Sequence, residues 1–111
     1  MNVYDTANRL ASEIQQSEEY VNLKSAKEFI NMNAEYKAKI SEFEKLRYEE
    51  QINTMTTGKT DENKMKEIQE KYQELIQIEE IKKYFDAELK FNILLGDVNK
   101  IISEAVKDII S

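Results

Sequence analysis

The absence of proline is the feature that most constrains the fold of this chain. Its 111 residues include no Pro and only two glycines, Gly58 and Gly96. Proline breaks helices because its ring clashes with the preceding turn and it lacks an N–H donor, and glycine weakens them by conformational freedom. Almost nothing here interrupts a helix, and no stretch alternates strictly enough between apolar and polar residues to predict a strand. The sequence therefore predicts an all-α protein.

Helical periodicity predicts about five helices in a single domain, residues 1–111. Apolar residues recur at spacings of three and four over residues 2–15, 18–31, 34–56, 62–76 and 79–110. We expect long antiparallel helices that form a hairpin or bundle, with a long C-terminal helix. The predicted apolar positions are Tyr36, Ile40, Phe43, Leu46, Ile52 and Met55 in the third helix, and Met65, Ile68, Tyr72 and Leu75 in the fourth.

Capping residues mark where these helices begin and end. Ser17 and Asn33 are N-cap candidates, because their side-chain oxygens can accept from the first free N–H groups of a helix. Gly58 suits the left-handed position that ends a helix, and Thr60 or Asp61 can cap the next one. The sequence leaves open whether the fourth and fifth helices join, since nothing between them forbids helix.

The missing residue types exclude several chemistries. The chain has no Cys and no His, so it cannot build a disulfide framework, a thiolate nucleophile, a Ser-His-Asp triad or an imidazole metal site. Carboxylates are abundant, but a di-metal bundle site also needs histidines. Most acids lie three or four residues from a Lys, as Glu67 does from Lys71, which is typical of a solvated helix surface. We expect no enzyme, no cofactor and no metal.

One loop superficially resembles a nucleotide site. Gly58, Lys59 and Thr60 match the end of a phosphate-binding loop, but the full motif needs a glycine at position 53, which is Asn53. It also needs a preceding strand, where this sequence predicts a helix. A helix terminator followed by a cap explains these residues better.

Charge and hydropathy indicate a cytoplasmic protein that binds neither membranes nor nucleic acids. The formal charge is −6, and nucleic-acid binding needs clustered cations. The N-terminus lacks a signal-peptide pattern, and no apolar run approaches the roughly 20 residues of a membrane helix. The alternative, direct RNA binding, would have to use a lysine-rich face formed by Lys64, Lys71, Lys82 and Lys83.

The fifth helix carries an apolar seam, the α5 seam, along nearly its whole length. Its members follow alternating steps of three and four: Ile81, Tyr84, Glu88, Phe91, Leu95, Val98, Ile102, Ala105 and Ile109. A helix of this length spans about 48 Å, whereas a compact chain of this size has a diameter of about 34 Å. Either the third helix or a second copy of the chain must cover the ends, so we predict a homodimer with a helix-on-helix interface.

Several residues are candidates for interaction rather than catalysis. Glu88 is the only charge on the α5 seam; it can pair with a Lys or Tyr, be exposed where the seam leaves the core, or set register at an interface. Arg47 and Tyr48 are of types enriched in binding hot spots, although isolated surface residues are more often neutral. Gly96 costs its helix about 1 kcal/mol relative to Ala, which indicates a close helix approach or room for a partner's side chain. The candidate interface residues are Arg47, Tyr48, Tyr84, Glu88, Phe91, Leu95 and Gly96.

Three stretches together resemble the YlbF/YmcA family of small helical bacterial proteins, most closely its YheA branch. They are Met1-Asn2-Val3-Tyr4-Asp5, Ser17-Glu18-Glu19-Tyr20, and Leu94-Leu95-Gly96-Asp97-Val98-Asn99-Lys100-Ile101-Ile102. The resemblance implies long antiparallel helices that associate with themselves or with relatives. Better-studied relatives act as regulators in Firmicutes, in a complex that influences competence, sporulation, biofilm formation and messenger-RNA maturation. Those relatives bind iron–sulfur clusters through cysteines, and this chain has none.

The leading hypothesis is a non-enzymatic cytoplasmic regulator or adaptor that acts through helical protein–protein contacts. Its expected partners are a second copy of the chain, paralogous regulators or RNA-processing proteins. The alternative is a structural oligomer or a helical bundle that binds an apolar ligand between its helices.

Overall fold

The computed structural model describes residues 2–110, and this range forms five α-helices without a strand. The helices are α1 (Val3–Gln16), α2 (Glu18–Asn31), α3 (Ala34–Thr57), α4 (Glu62–Leu75) and α5 (Glu79–Ile110). The predicted all-α class is confirmed, and each predicted boundary lies within one residue of the observed one.

Side-chain caps begin the first three helices. Asn2 Oδ1 accepts from the Asp5 N–H at 2.9 Å and starts α1. Ser17 Oγ accepts from the Tyr20 N–H at 3.2 Å, and Asn33 Oδ1 accepts from the Tyr36 N–H at 3.0 Å. The predicted caps at Ser17 and Asn33 are therefore confirmed, and each satisfies a donor that the first helical turn leaves free.

The loop between α3 and α4 has the predicted chemistry. Gly58 ends α3 with a φ of 72°, and its N–H donates to the Thr54 carbonyl at 2.9 Å. Of the two capping candidates, Asp61 is the one used: its Oδ1 accepts from the Asn63 and Lys64 N–H groups at 3.0 and 3.2 Å. The loop residues thus serve to stop one helix and start the next.

Helices α4 and α5 are separate. The Gln77 N–H donates to the Glu74 carbonyl at 3.3 Å and the Ile78 N–H to the Leu75 carbonyl at 3.0 Å. These bonds reach back three residues, so the chain tightens into a turn before α5 begins.

The chain divides into two compact units. Unit 1 contains the residues up to Ala26 and from Phe85 onward, and unit 2 runs from Lys27 to Tyr84. The expected organisation as one domain stays a prediction.

The buried apolar side chains are distributed very unequally between the two units. Of the eight found among residues 2–110, seven lie in unit 2 and one, Phe85, lies in unit 1. The set in unit 2 is Ile30, Ile40, Phe43, Ile68, Leu75, Ile81 and Tyr84.

Candidate interaction surfaces

The α5 seam changes from covered to exposed along its length. Tyr84 is buried in unit 2, and Glu88, Phe91, Leu95 and Val98 are half-buried in unit 1. The Phe91 ring makes an edge contact with Tyr20 of α2, with ring centroids 5.9 Å apart and planes inclined by 61°. Beyond Val98 every residue up to position 110 is exposed, so the same apolar seam continues into solvent.

Five exposed apolar residues at the end of this seam form a surface that we call the distal α5 face: Ile101, Ile102, Ala105, Val106 and Ile109. Ile102 is 52% exposed and Ile109 is 87% exposed. Their spacing places all five on one side of the helix. The charged residues Lys100, Glu104 and Lys107 lie on the opposite side, whereas Asp108 borders the face beside Ile101.

Helix α1 belongs to unit 1, as the distal α5 face does, and little of its surface is covered. It has a strongly amphipathic sequence, yet none of its residues is buried. Leu10 and Ile14 are half-buried, whereas Val3 is 80% and Tyr4 79% exposed. The apolar stripe predicted for the first helix therefore lacks cover at its N-terminal end.

Glu88 and Gly96 differ in what surrounds them. Glu88 is half-buried and so is not exposed at the point where the seam leaves the core. Gly96 is exposed, and a Cβ built on it meets nothing within 4 Å. Within the described chain, the close helix approach that we expected at Gly96 is absent.

Unit 2 contains an antiparallel hairpin of α3 and α4. The rings of Phe43 and Tyr72 lie 6.0 Å apart, and Lys71 Nζ lies 3.6 Å from Glu42 Oε1 on the facing helix. Residues 42 and 43 thus face residues 71 and 72, while the loop joins the other ends. Lys71 thus reaches across to α3, while Glu67 pairs with Lys64 of its own helix, at 3.7 Å.

Arg47 and Tyr48 lie next to each other but are placed differently. The Arg47 guanidinium sits 5.5 Å from the centroid of the Phe43 ring, a cation–π arrangement. Tyr48 is 62% exposed and forms an exposed stripe with Ile52 and Met55 at spacings of four and three. Their role in binding stays a prediction.

A groove lies between α3 and α4. Phe43 is the α3 residue that lines it, and the other lining residues belong to α4: Glu62, Met65, Lys66, Ile68, Gln69 and Tyr72. Its volume of about 510 Å³ falls in the range of small-molecule sites, but the groove is open to solvent. Small ligands are usually enclosed over most of their surface, so the groove does not favour the ligand-binding alternative.

The predicted apolar face of α3 is wrong in its second half. Ile52 is 44% and Met55 79% exposed, and the buried position at the end of this helix belongs to Glu50. The reason is helical geometry: Glu50 follows Phe43 by seven residues and shares its face, whereas Ile52 and Met55 lie on the opposite side. Met65 of α4 is also exposed rather than part of the core.

Glu50 is the buried carboxylate that the sequence did not reveal. It is only 6% exposed. Its Oε2 accepts from the Asp61 N–H at 2.9 Å, and its Oε1 accepts from Asn53 Nδ2 at 3.2 Å. Because Asp61 in turn caps α4, this carboxylate ties the end of α3 to the start of α4.

Between residues 2 and 110, no three His, Cys, Asp or Glu residues are grouped so that they could hold a metal ion. None of the helices in that range combines the length and apolarity needed to cross a membrane.

Comparison with known sequences and structures identifies the family. Residues 3–107 match the model of the family described as control of competence regulator ComK, YlbF/YmcA. A UPF0342 protein of Alkalihalophilus pseudofirmus is 34% identical over 108 residues, which are 97% of this chain and 92% of that protein. A UPF0342 protein of Halothermothrix orenii is 37% identical over 106 residues, 92% of this chain and 86% of the relative.

Two solved structures share the fold. YheA from Bacillus subtilis superposes with a TM-score of 0.69 at 23% identity, covering 97% of this chain and 98% of that one. Bacillus subtilis RicA, crystallised in complex with RicF, gives a TM-score of 0.61 at 21% identity, with coverages of 98% and 96%. With residues 3–107 matched by the family model, the chain belongs to the YlbF/YmcA family.

Proposed function

We propose that this protein is a non-enzymatic regulatory adaptor that acts in the cytoplasm through helical protein–protein contacts. The observation that carries the proposal is the distal α5 face, an apolar surface exposed at the end of a helix whose apolar seam is partly covered before Val98. Large exposed apolar patches on soluble proteins mark interaction sites.

The family supports the same class of function. Its model is described by control of a competence regulator, and RicA, which shares the fold, was crystallised with the protein RicF. We extend this to the present chain: its partners are itself or related regulators, and its setting is the control of competence, sporulation, biofilm formation or messenger-RNA processing. The missing His and Cys residues leave contact surfaces, rather than reactive groups, as the means of action.

Crosslinking capture with mass spectrometry in the native bacterium tests the proposal. The wild-type chain is compared with Ile109→Lys on the distal α5 face and with Ser103→Lys, which adds the same charge at an exposed position off that face. We expect a defined set of proteins to crosslink to the wild type and to Ser103→Lys but not to Ile109→Lys. Identical sets for all three would refute a role of this face in adaptor function.

A further inference from the structure

Two carboxylates border the distal α5 face along one side, and we call them the acidic edge: Asp97 and Asp108. Both side chains are exposed. Their separation along the sequence brings them within about 20° of each other around the helix and about 16 Å apart along it. Asp97 precedes Ile101 by one turn and Asp108 lies beside Ile101, so the acidic edge runs along the apolar surface.

The charge that borders the distal α5 face has one sign. Between residues 2 and 110, neither member of the acidic edge forms an ion pair. Glu104 lies farther around the helix from the face, and its Oε2 is 3.0 Å from Lys107 Nζ. The opposite border carries the uncharged residues Asn99 and Ser103. A ligand on this face therefore meets two carboxylates without a cationic partner on one side and no charged residue at the other border.

The rest of unit 1 is acidic as well. The unit contains nine Asp or Glu residues and five Lys or Arg residues, so its formal charge is −4. Burial of apolar area drives association, whereas complementary charge attracts a ligand and fixes its orientation. An amphipathic helix can lay its apolar side on an exposed apolar surface. Acids at the border of such a helix would oppose the acidic edge, and like charges brought together cost free energy. The distal α5 face therefore favours a helix that is bordered by basic residues.

We propose that the distal α5 face binds an amphipathic helix of another protein, in which Lys or Arg residues about 16 Å apart border the apolar side. The inference rests on the proposed function and states the chemistry of the segment that the interaction surface recognises. The apolar side chains of the two helices pack against each other, with Ile102 and Ile109 in the contact. The basic residues of the partner helix lie against Asp97 and Asp108.

Fluorescence anisotropy with the full chain and two designed peptides tests this preference. Both probes are fluorescein-labelled amphipathic helices of about 18 residues with leucines on one side. One carries two lysines at its border with the spacing of the acidic edge, and the other carries two glutamates at the same positions. We expect the lysine peptide to bind about 10-fold more tightly, because two attractive charge pairs replace two repulsive ones. Added salt should reduce the difference, since these charges are exposed.

Two charge reversals on α5 form a matched pair of variants. Asp108→Lys should weaken binding of the lysine peptide about 5-fold and strengthen binding of the glutamate peptide. Asp86→Lys makes the same change at an exposed position far from the distal α5 face and should leave both affinities unchanged. Ile109→Ser should weaken both peptides by about 10-fold, because it removes apolar contact area that they share.

Equal affinities of the wild type for the two peptides would overturn the inference, and so would equal effects of the two charge reversals or the absence of binding by either peptide. If the crosslinked partners in the capture experiment still depend on Ile109, any of these results overturns the partner chemistry and leaves the adaptor function in place.

Discussion

Replacing Glu50 with alanine should destabilise the α3–α4 hairpin, because this buried carboxylate ties the end of α3 to the start of α4. The substitution removes the acceptor of the Asp61 N–H, at 2.9 Å, and of the Asn53 side chain, at 3.2 Å, at a position only 6% exposed. A hydrogen bond to a charged group, here the one from the Asp61 N–H, contributes about 1.5–3 kcal/mol. The part-buried bond from the Asn53 side chain adds about 1 kcal/mol. We therefore expect a loss of about 3 kcal/mol in the free energy of unfolding.

Urea unfolding followed by circular dichroism measures this loss. If the free energy of unfolding falls by about 2 kcal/mol per molar urea, the urea concentration at the midpoint of unfolding should fall by about 1.5 M. Glu50→Gln keeps an oxygen that can accept from the Asp61 N–H and should lose only about 1 kcal/mol. Glu49→Ala, at the exposed neighbouring position, should change stability by less than about 0.5 kcal/mol.

Amide hydrogen exchange locates the effect. The Asp61 N–H should exchange faster in Glu50→Ala than in the wild type, because its acceptor is gone. Equal urea midpoints for Glu50→Ala and Glu49→Ala, with unchanged exchange at Asp61, would refute the assignment of Glu50 as the tie between α3 and α4.

Three further substitutions test other parts of the fold by thermal or urea unfolding. Gly58→Ala should lose about 1 kcal/mol because a φ of 72° is unfavourable for a residue with a side chain, although no atom lies within 4 Å of the added Cβ; unchanged stability would mean that the loop relaxes. Gly96→Ala should gain about 0.5–1 kcal/mol from helix propensity, since space is open there, and a loss of stability or of dimerisation would reveal a neighbour at that position. Ile81→Ala, at a fully buried position of 0% exposure, should lose about 2–5 kcal/mol; a loss below about 1 kcal/mol would contradict its place in the core.

The helices could be predicted from the sequence because the residues that begin and end them act on their near neighbours in the chain. The lack of proline left only caps and the single left-handed glycine to divide the chain, and Ser17, Asn33 and Gly58 act where the sequence placed them. Capping depends on residues three or four positions apart, which a sequence shows directly.

The faces of α3 could not be predicted in the same way. Apolar residues occur on two opposite sides of this helix, so its hydrophobicity does not identify the buried one. Helical periodicity counted from Phe43 does place Glu50 on the buried side of α3. A buried carboxylate is not expected from sequence, however, unless the group that donates a hydrogen bond to it is known. That donor, the Asp61 N–H, comes close only because α4 returns along α3.

The covered part of the α5 seam could be predicted only incompletely, for a related reason. The period of α5 correctly placed Tyr84, Phe91 and Leu95 on one covered side. It did not show where cover ends, because the same pattern runs unchanged from Val98 to Ile109 while exposure rises. Where cover ends depends on which helices pack against α5, and that is a property of the tertiary structure.

Hydrogen exchange of α5 at increasing protein concentration tests most directly whether the distal α5 face works as a contact surface. We expect the peptides that follow Val98 to become more protected as concentration rises in the wild type and in Ser103→Lys, but not in Ile102→Lys. Peptides of the α3–α4 hairpin should keep the same protection throughout. If protection after Val98 is independent of concentration and unchanged by the native partners captured by crosslinking, the distal α5 face is not a contact surface and the account is contradicted.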